Sequence, residues 1–363
     1  MPNAFSGEGK SRFDQLSFVS KVKYSLNSVY SIPSLKTLRE VLRKHSFDIV
    51  HLQNIHHVLT SSIFAALKDV DTPIVWTLHD FKLICPSSNF FTAGAVCERC
   101  RGGKFYNALI HRCKRGSLAG SALAAAISYL DRVMTIRTRS DIFVTPSRFL
   151  RSKLTQYGFD PTRVVTVPLF VSPLLVPQEG EIEDFVLYYG NFSKEKGVGI
   201  LLEVARRLPH LRFLFVGSGP LLEDVTSSSA IRGSNVTCLP YQSKAEMITI
   251  LKKARLVVVP SQWYENFPFT VLESMSAGKA VIASRIGGIP EQIDNNNSGL
   301  LIDDVASVDE WAAKIGSLYQ DKDKIKRLGH SARQLTITCY GEDLHYRRML
   351  SLYEGLINTR GNI

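Results

Sequence analysis

Apolar residues in this chain fall into short unbroken runs and into longer stretches where they return at helical spacing. The runs predict strands over residues 47–52, 73–78, 141–146, 164–167, 185–189, 212–216, 236–239, 256–259, 280–284 and 299–302. The spaced pattern predicts helices over 34–44, with Leu35, Leu38 and Leu42 on one face, and over 58–67, 117–138 and 148–157. It continues with a helix running to Leu208 and others over 244–254, 308–318, 322–334 and 344–357, the last with an apolar stripe of Tyr346, Met349, Leu350 and Tyr353. Strands alternating with helices of this length predict a parallel, doubly wound α/β sheet. Residues 1–30 have weak periodicity and specify little. Prolines 168, 173 and 177, followed by acidic residues to Asp184, mark a linker between two halves.

The most informative stretch is 256–291. A buried strand ends at Pro260, and Pro268 stands where a first helical residue is expected, since a residue without an N–H loses nothing there. Glu265 then precedes the helix and Glu273 lies one turn into it. The free N–H groups of Phe267 to Thr270 would carry partial positive charge beside them and suit a phosphate. Hydroxyl acceptors next to a phosphate cradle are what a nucleotide sugar requires. Upstream, the run 73–78 ends at His79 and Asp80, at a strand's carboxyl end, where α/β sheets bind ligands.

Glu265 and Glu273 with seven residues between them, then Ala277-Gly278, Gly287-Gly288-Ile289-Pro290-Glu291 and Ser298-Gly299-Leu300-Leu301, resemble the retaining family-4 glycosyltransferases of the GT-B fold. The family more often has Gly where Asn266 and Pro268 stand. The loop from Gly190 to Gly197 resembles the family's phosphate loop: Lys196 matches its lysine, whereas Asn191 stands where Arg is usual. The resemblance covers roughly residues 45 to 360. It implies two Rossmann-like domains facing across a cleft: an acceptor-side domain over 1–175, a nucleotide-sugar domain over 176–340, and a terminal helix, 341–363, crossing back to the first. The family's usual opening strand and Gly-rich loop are not evident, so the first domain is expected to be incomplete at its start.

In the roles so implied, Glu265 and His79 are catalytic, with Asp80 orienting the imidazole. Lys196, Phe267, Phe269, Thr270 and Glu273 bind the donor, Lys196 and the helix N-terminus facing the leaving diphosphate and Glu273 the ribose. No catalytic metal or other cofactor is implied. The expected reaction moves a hexose from a nucleotide diphosphate sugar to an acceptor hydroxyl with retention, in cell-surface polysaccharide or glycolipid synthesis. The alternatives are a non-catalytic GT-B relative that binds a nucleotide or membrane partner, and a nucleotide-sugar epimerase.

Composition adds two points. With 363 residues, 45% apolar and 21% charged, the chain has room for two cores, and no run reaches the length of a membrane span. The polar N-terminus lacks an apolar signal core, and the expectation is a cytoplasmic protein. Residues 1–175 carry 23 Lys+Arg against 11 Asp+Glu, the remainder 21 against 22, so all excess positive charge lies in the first half, densest from Arg99 to Lys153. Such a face is either merely solvated or drawn to an anionic membrane, which would put the protein peripherally on the inner leaflet beside a lipid-linked or glycan acceptor. No nucleic-acid recognition motif accompanies it.

Four of the six cysteines, Cys85, Cys97, Cys100 and Cys113, fall close together. The Cys97-x-x-Cys100 pair has metal-knuckle spacing, and the four thiols are either a structural zinc site or unligated, redox-sensitive groups. Cys238 and Cys339 read as ordinary buried residues.

Overall fold

Strands whose every residue is apolar must be covered on both faces, and the strands at the centre of each half meet that condition. The computed structural model describes residues 27–57, 59–134, 136–172 and 182–361. In the first half, β1 (Val50–Gln53), β2 (Ile74–Thr77), β5 (Ile142–Thr145) and β6 (Val164–Thr166) form a parallel sheet in the order β1-β2-β5-β6. A small hairpin, β3 (Phe91–Thr92) with β4 (Ala95–Val96), stands apart from it.

The second half is a six-stranded parallel sheet in the order β12-β11-β10-β7-β8-β9. Its members are β7 (Phe185–Asn191), β8 (Arg212–Ser218), β9 (Val236–Leu239), β10 (Leu256–Val259), β11 (Val281–Ser284) and β12 (Leu300–Ile302). From β7 the chain winds outward through β8 and β9, then returns to β10 and winds the other way. The reversal leaves a crevice between the carboxyl ends of β7 and β10, the position where doubly wound sheets take ligands.

Each sheet has its own core. Trp76 stacks among Phe64 and Phe143 in the first, with ring centroids 5.2 and 5.9 Å away. Trp311, Phe213 and Phe215 are fully buried in the second. Truncating such a residue to Ala costs about 3–5 kcal/mol. The final helix, Glu342–Gly361, lies on the first sheet, packing Met349, Leu352, Tyr353 and Leu356 near Val75, Val144 and Val167. Its buried face is rotated from the expected stripe: Tyr346 is 62% exposed and Leu350 37%.

Other elements differ from expectation for local reasons. The helix expected over 58–67 is reduced to Phe64–Leu67 behind short 3-10 turns, because Thr60 takes φ 59° and caps Ser62 N with its side chain. The long pattern over 117–138 is a helix only over Leu118–Val133, capped by Ser117. Helices Tyr106–Ile110 and Leu222–Ala230 had no expectation, and Lys322–Cys339 runs past the predicted end at 334. Cys238 and Cys339 are half-buried rather than core. Of the expected linker, Pro168 and Asp184 are described, whereas 173–181 lie outside the described residues, as do residues 1–26 of the weakly patterned start.

Candidate active site

Two loops meet at the reversal point. The one after β7 ends in Gly197, at φ 74°, where a Cβ would lie 1.8 Å from the Pro260 carbonyl oxygen. Only glycine lets this loop settle onto the end of β10. That approach brings Lys196 Nζ to 2.7 Å from Glu265 Oε1. Ser261 Oγ donates to the same oxygen at 2.6 Å, and Glu265 is 6% exposed. From the far side Gly287, at φ 61°, leaves room for the Glu265 backbone, which a Cβ there would meet at 2.2 Å. The neighbouring Gly288 N–H donates to Glu265 O at 2.7 Å. The Gly-Gly pair is therefore a seat for the glutamate.

The helix after this loop begins one residue later than expected. Pro268 is its N-cap, with ψ 125°, and the helix proper is Phe269–Ser276. Its first intrahelical bond is Leu272 N to Pro268 O at 3.4 Å, so the N–H groups of Phe269, Thr270 and Val271 precede the ladder. Pro268 has no N–H to add, which trims the expected cradle of Phe267 to Thr270. The Phe267 side chain is core: it is 6% exposed and meets Tyr340 edge-on at 5.5 Å. Phe269 is 50% exposed.

Glu273 follows one turn on. Tyr189 OH, at the end of β7, donates to Thr270 O at 3.0 Å and lies 3.4 Å from Glu273 Oε2. Burial pushes the Glu273 carboxyl above the usual carboxylate range, with Tyr189 and Lys244 opposing it. Burial, and then the Glu273 charge, pushes the Tyr189 hydroxyl far up. A half-buried carboxylate with a single hydroxyl partner suits further hydroxyl donors. In the phosphate loop Asn191 leans over the glycine turn after β8, and Lys194 is exposed.

His79 comes from the other domain. Its Nε2 lies 3.1 Å from Gln53 Oε1, and burial lowers its pKa while Asp80 raises it. Asp80 is turned elsewhere, accepting from Lys82 N at 2.8 Å, so Gln53 and not Asp80 orients the ring. The His79 carbonyl accepts from Asn266 Nδ2 at 3.0 Å, which joins it to the loop that carries Glu265.

Of the two readings of the four clustered cysteines, the zinc site finds no support in the described side chains. Among the described residues no group of three or more His, Cys, Asp or Glu side chains is arranged to hold a metal ion. Cys85 belongs to the first core and lies 3.2 Å from Ser87 Oγ, while Cys100 packs with Phe105, Ala108, Ala125 and Cys113. Burial, with smaller contributions from the Cys85, Cys113 and Cys97 thiols, pushes Cys100 up to about 12.

Sequence reasoning missed Ser261 and Tyr189. Ser261 directly follows the proline that ends β10, and that position was the one available signal for it.

The chain resembles known proteins over most of its length. The model for Glycosyltransferase Family 4 matches residues 8–173, and that for Glycosyl transferases group 1 matches 176–335. A D-inositol 3-phosphate glycosyltransferase of Segniliparus rotundus is 30% identical over 214 residues, 53% of this chain and 47% of that protein. The uncharacterized glycosyltransferase YqgM of Bacillus subtilis is 27% identical over 242 residues, 63% of this chain and 66% of that one. The matched stretch thus spans about half to two thirds of these relatives. Among solved structures, sucrose-phosphate synthase from Thermosynechococcus elongatus superposes with TM-score 0.69 at 17% identity, over 90% of this chain and 77% of that one. Anabaena HepE in complex with UDP does so with TM-score 0.64 at 15% identity, over 88% and 82%. Both show the fold. With two such models in tandem, one over each sheet, and the glutamate loop seated where the second sheet reverses, the chain belongs to the family-4 glycosyltransferases of the GT-B fold.

Proposed function

We propose that the chain is a retaining glycosyltransferase of hexosyltransferase type. It moves a sugar from a nucleotide diphosphate sugar to the hydroxyl of a glycan or lipid-linked acceptor, in cell-surface polysaccharide or glycolipid synthesis. The observation that carries the reading is the Lys196–Glu265 pair at the reversal of the second sheet, beside the start of the helix Phe269–Ser276. HepE, solved with UDP and with UDP-glucose, has the same fold and supports a nucleotide-sugar donor.

In this reading Glu273 accepts from the ribose hydroxyls, and Glu265 holds hydroxyls of the sugar and faces the positive charge that develops on it. Negative charge grows on the departing diphosphate, and Lys196 with the N–H groups of Phe269 and Thr270 stabilises it, so the chemistry calls for no metal. His79, held neutral by burial with its Nε2–H on Gln53 Oε1, presents Nδ1 as a hydrogen-bond acceptor from the acceptor side. Retention rests on the likeness of the glutamate motif.

A lipid-linked acceptor is favoured by the first domain's surface. Residues 99–130 contain no Asp or Glu, and Tyr106, Ile110, Leu118 and Val133 stand 49%, 64%, 55% and 79% exposed on the two helices there. No helix among the described residues is long and apolar enough to cross a membrane. The reading is a peripheral protein of the cytoplasmic leaflet. Asn191 in place of Arg favours a second reading, a relative that binds a nucleotide without transferring sugar.

Calorimetric titration with UDP, GDP and ADP tests the site, with Glu273→Ala as control. Binding of one nucleotide, lost in the variant, supports the donor site; binding of none removes it. Release of that nucleotide from its sugar conjugate only when acceptor is present separates transfer from mere binding.

A further inference from the structure

We infer that Tyr264 and Asn266 are positioning residues through which the first domain sets the geometry of Glu265, so that the acid is in working position only while the two domains are in contact. The inference rests on the reading of Glu265 as a donor-facing residue. Glu265 is held by two sets of contacts of different origin. Its side chain and its carbonyl are fixed from within its own domain, by Lys196, Ser261 and the Gly288 N–H. The residues on either side of it are fixed by the other domain.

Asn266 is 9% exposed, and both ends of its carboxamide are used across the seam. Nδ2 donates to His79 O at 3.0 Å, and Oδ1 accepts from Ser147 Oγ at 2.7 Å. Ser147 is the N-cap of the helix Arg148–Gln156, and the first two N–H groups of that helix, Arg148 and Phe149, donate to Glu291 of the second domain at 2.7 and 2.6 Å. A donor and an acceptor on one side chain are thus matched to an acceptor and a donor on the facing domain. Neither glycine nor aspartate at this position can do the same.

Tyr264 enters an aromatic nest. Its ring lies 4.8 Å from Phe149 and 6.0 Å from Phe90, and Lys153 Nζ stands 4.9 Å from its centre. Its hydroxyl donates to Glu98 Oε1 at 3.0 Å, the oxygen that Lys153 holds at 2.5 Å. Phe90, at the floor of the nest, is 1% exposed and takes φ 49°, a backbone state that a bulky residue adopts only when its surroundings impose it. Glu98 and Phe90 belong to the cysteine-bearing loop, so that loop has a use without metal: it is the socket for Tyr264.

The consequence follows from chain geometry. With Tyr264 and Asn266 seated, the peptide that carries Glu265 is pinned on both sides. When the domains part, both anchors leave their partners, the loop relaxes, and Glu265 keeps only the contacts of its own domain, with Lys196, Ser261 and the Gly288 N–H. Contact between the domains then does more than exclude water: it completes the site.

Hydrogen exchange at the Arg148 and Phe149 amides reads the seam directly, since Glu291 protects them across it. Asn266→Gly and Asn266→Asp should raise exchange there about tenfold. Both should lower kcat about 100-fold while leaving nucleoside diphosphate affinity unchanged, as expected for a misplaced acid in a folded donor domain. Tyr264→Phe, which keeps the ring and loses the Glu98 bond, should show a smaller effect of the same kind. Unchanged exchange and kcat in the Asn266 variants would overturn the inference. So would a loss of nucleotide affinity in step with kcat, which would make these residues ordinary supports of the donor domain. If the unmodified chain binds no UDP, GDP or ADP, the functional reading fails by itself, and the exchange experiment still decides whether Asn266 couples the domains.

Discussion

Lys196 Nζ and Glu265 Oε1 are 2.7 Å apart, joining the loop after β7 to the loop after β10. The Lys196 side chain is 29% exposed and that of Glu265 7% exposed, and the ammonium also stands 5.0 Å from the Trp263 ring centre. On the proposed reading, a donor diphosphate would compete with Glu265 for the cation. On that reading, Lys196 turning toward the phosphates would release Glu265 to accept sugar hydroxyls.

The pair has a stability consequence that can be separated from catalysis. Lys196→Met leaves the Glu265 carboxylate buried with Ser261 as its side-chain partner, which should cost about 2 kcal/mol, less than a fully buried pair because the lysine is partly solvated. The double variant Lys196→Met/Glu265→Gln should recover most of that loss in urea unfolding, while remaining inactive. A double variant no more stable than Lys196→Met would show that the pair is not the source of the cost.

Glu273 should make nucleotide binding pH-dependent. Burial raises its carboxyl above the ordinary 4.5, and ribose hydroxyls need it ionised to serve as acceptor. Affinity for the nucleoside diphosphate should therefore climb as pH rises through that elevated value and level off above it. Glu273→Ala should weaken binding roughly 10- to 100-fold at neutral pH, the worth of one hydrogen bond to a charged group. Titration calorimetry from acid to neutral pH checks both, and in Glu273→Gln the slope should vanish. For the free protein the sign is opposite: a carboxyl with a raised folded-state pKa favours the fold most when protonated and loses that contribution as pH rises.

A half-buried histidine fastens the last helix. His51 Nε2 lies 2.7 Å from Thr77 Oγ1 and Nδ1 2.7 Å from Tyr353 OH, so one ring joins β1, β2 and the helix Glu342–Gly361. Burial first, then the charges of His79 and His345, lowers its pKa from the ordinary 6.5. The unfolded chain takes up the proton at higher pH than the fold does, so stability should be full above about 6.5 and fall as pH drops toward the lower folded value. His79, lowered by its own burial, adds to the same slope. Denaturant midpoints measured across that range should show the decline, and His51→Gln should flatten part of it. Equal slopes in the two proteins would remove His51 as its cause.

What the sequence made legible was whatever local chemistry decides. Strands such as Leu256–Val259 and Val281–Ser284 are buried at every position, so their unbroken apolar runs could mean little else. Lys196 and Glu265 stand on loops that Gly197 and Gly287 allow to meet, and both glycines are visible in the sequence. Other features depended on distant partners. Asn266 looked like a departure from Gly, and only its contacts with Ser147 and His79 give it a purpose. The cysteines left metal and unligated thiols both open, because spacing is visible in a sequence and packing around Phe105 is not. The apolar stripe of the last helix was misread by a fraction of a turn, since Tyr346 and Leu350 are as apolar as the residues that actually meet the sheet.

The basic face of the first domain predicts salt-sensitive membrane binding. Arg101, Lys104, Arg112 and Arg115 are exposed beside Ile110 and Leu118, so charge and apolar contact occur together. Each such cation near an anionic leaflet contributes about 1 kcal/mol, and vesicles rich in phosphatidylserine should therefore bind the protein, neutral vesicles far less. Arg112→Glu with Arg115→Glu should weaken binding at least about 30-fold from the loss of two attractions alone. Raising the salt to about 1 M shortens the screening length to about 3 Å and should release most of the bound protein, with the remainder held by the exposed apolar residues. Ile110→Ser should then remove much of that remainder, since burying its side chain contributes about 2 kcal/mol. Flotation of the protein with vesicles measures each step. Binding that ignores lipid charge, salt and the double reversal would mean that this face is only solvated, and the case for a lipid-linked acceptor would go with it.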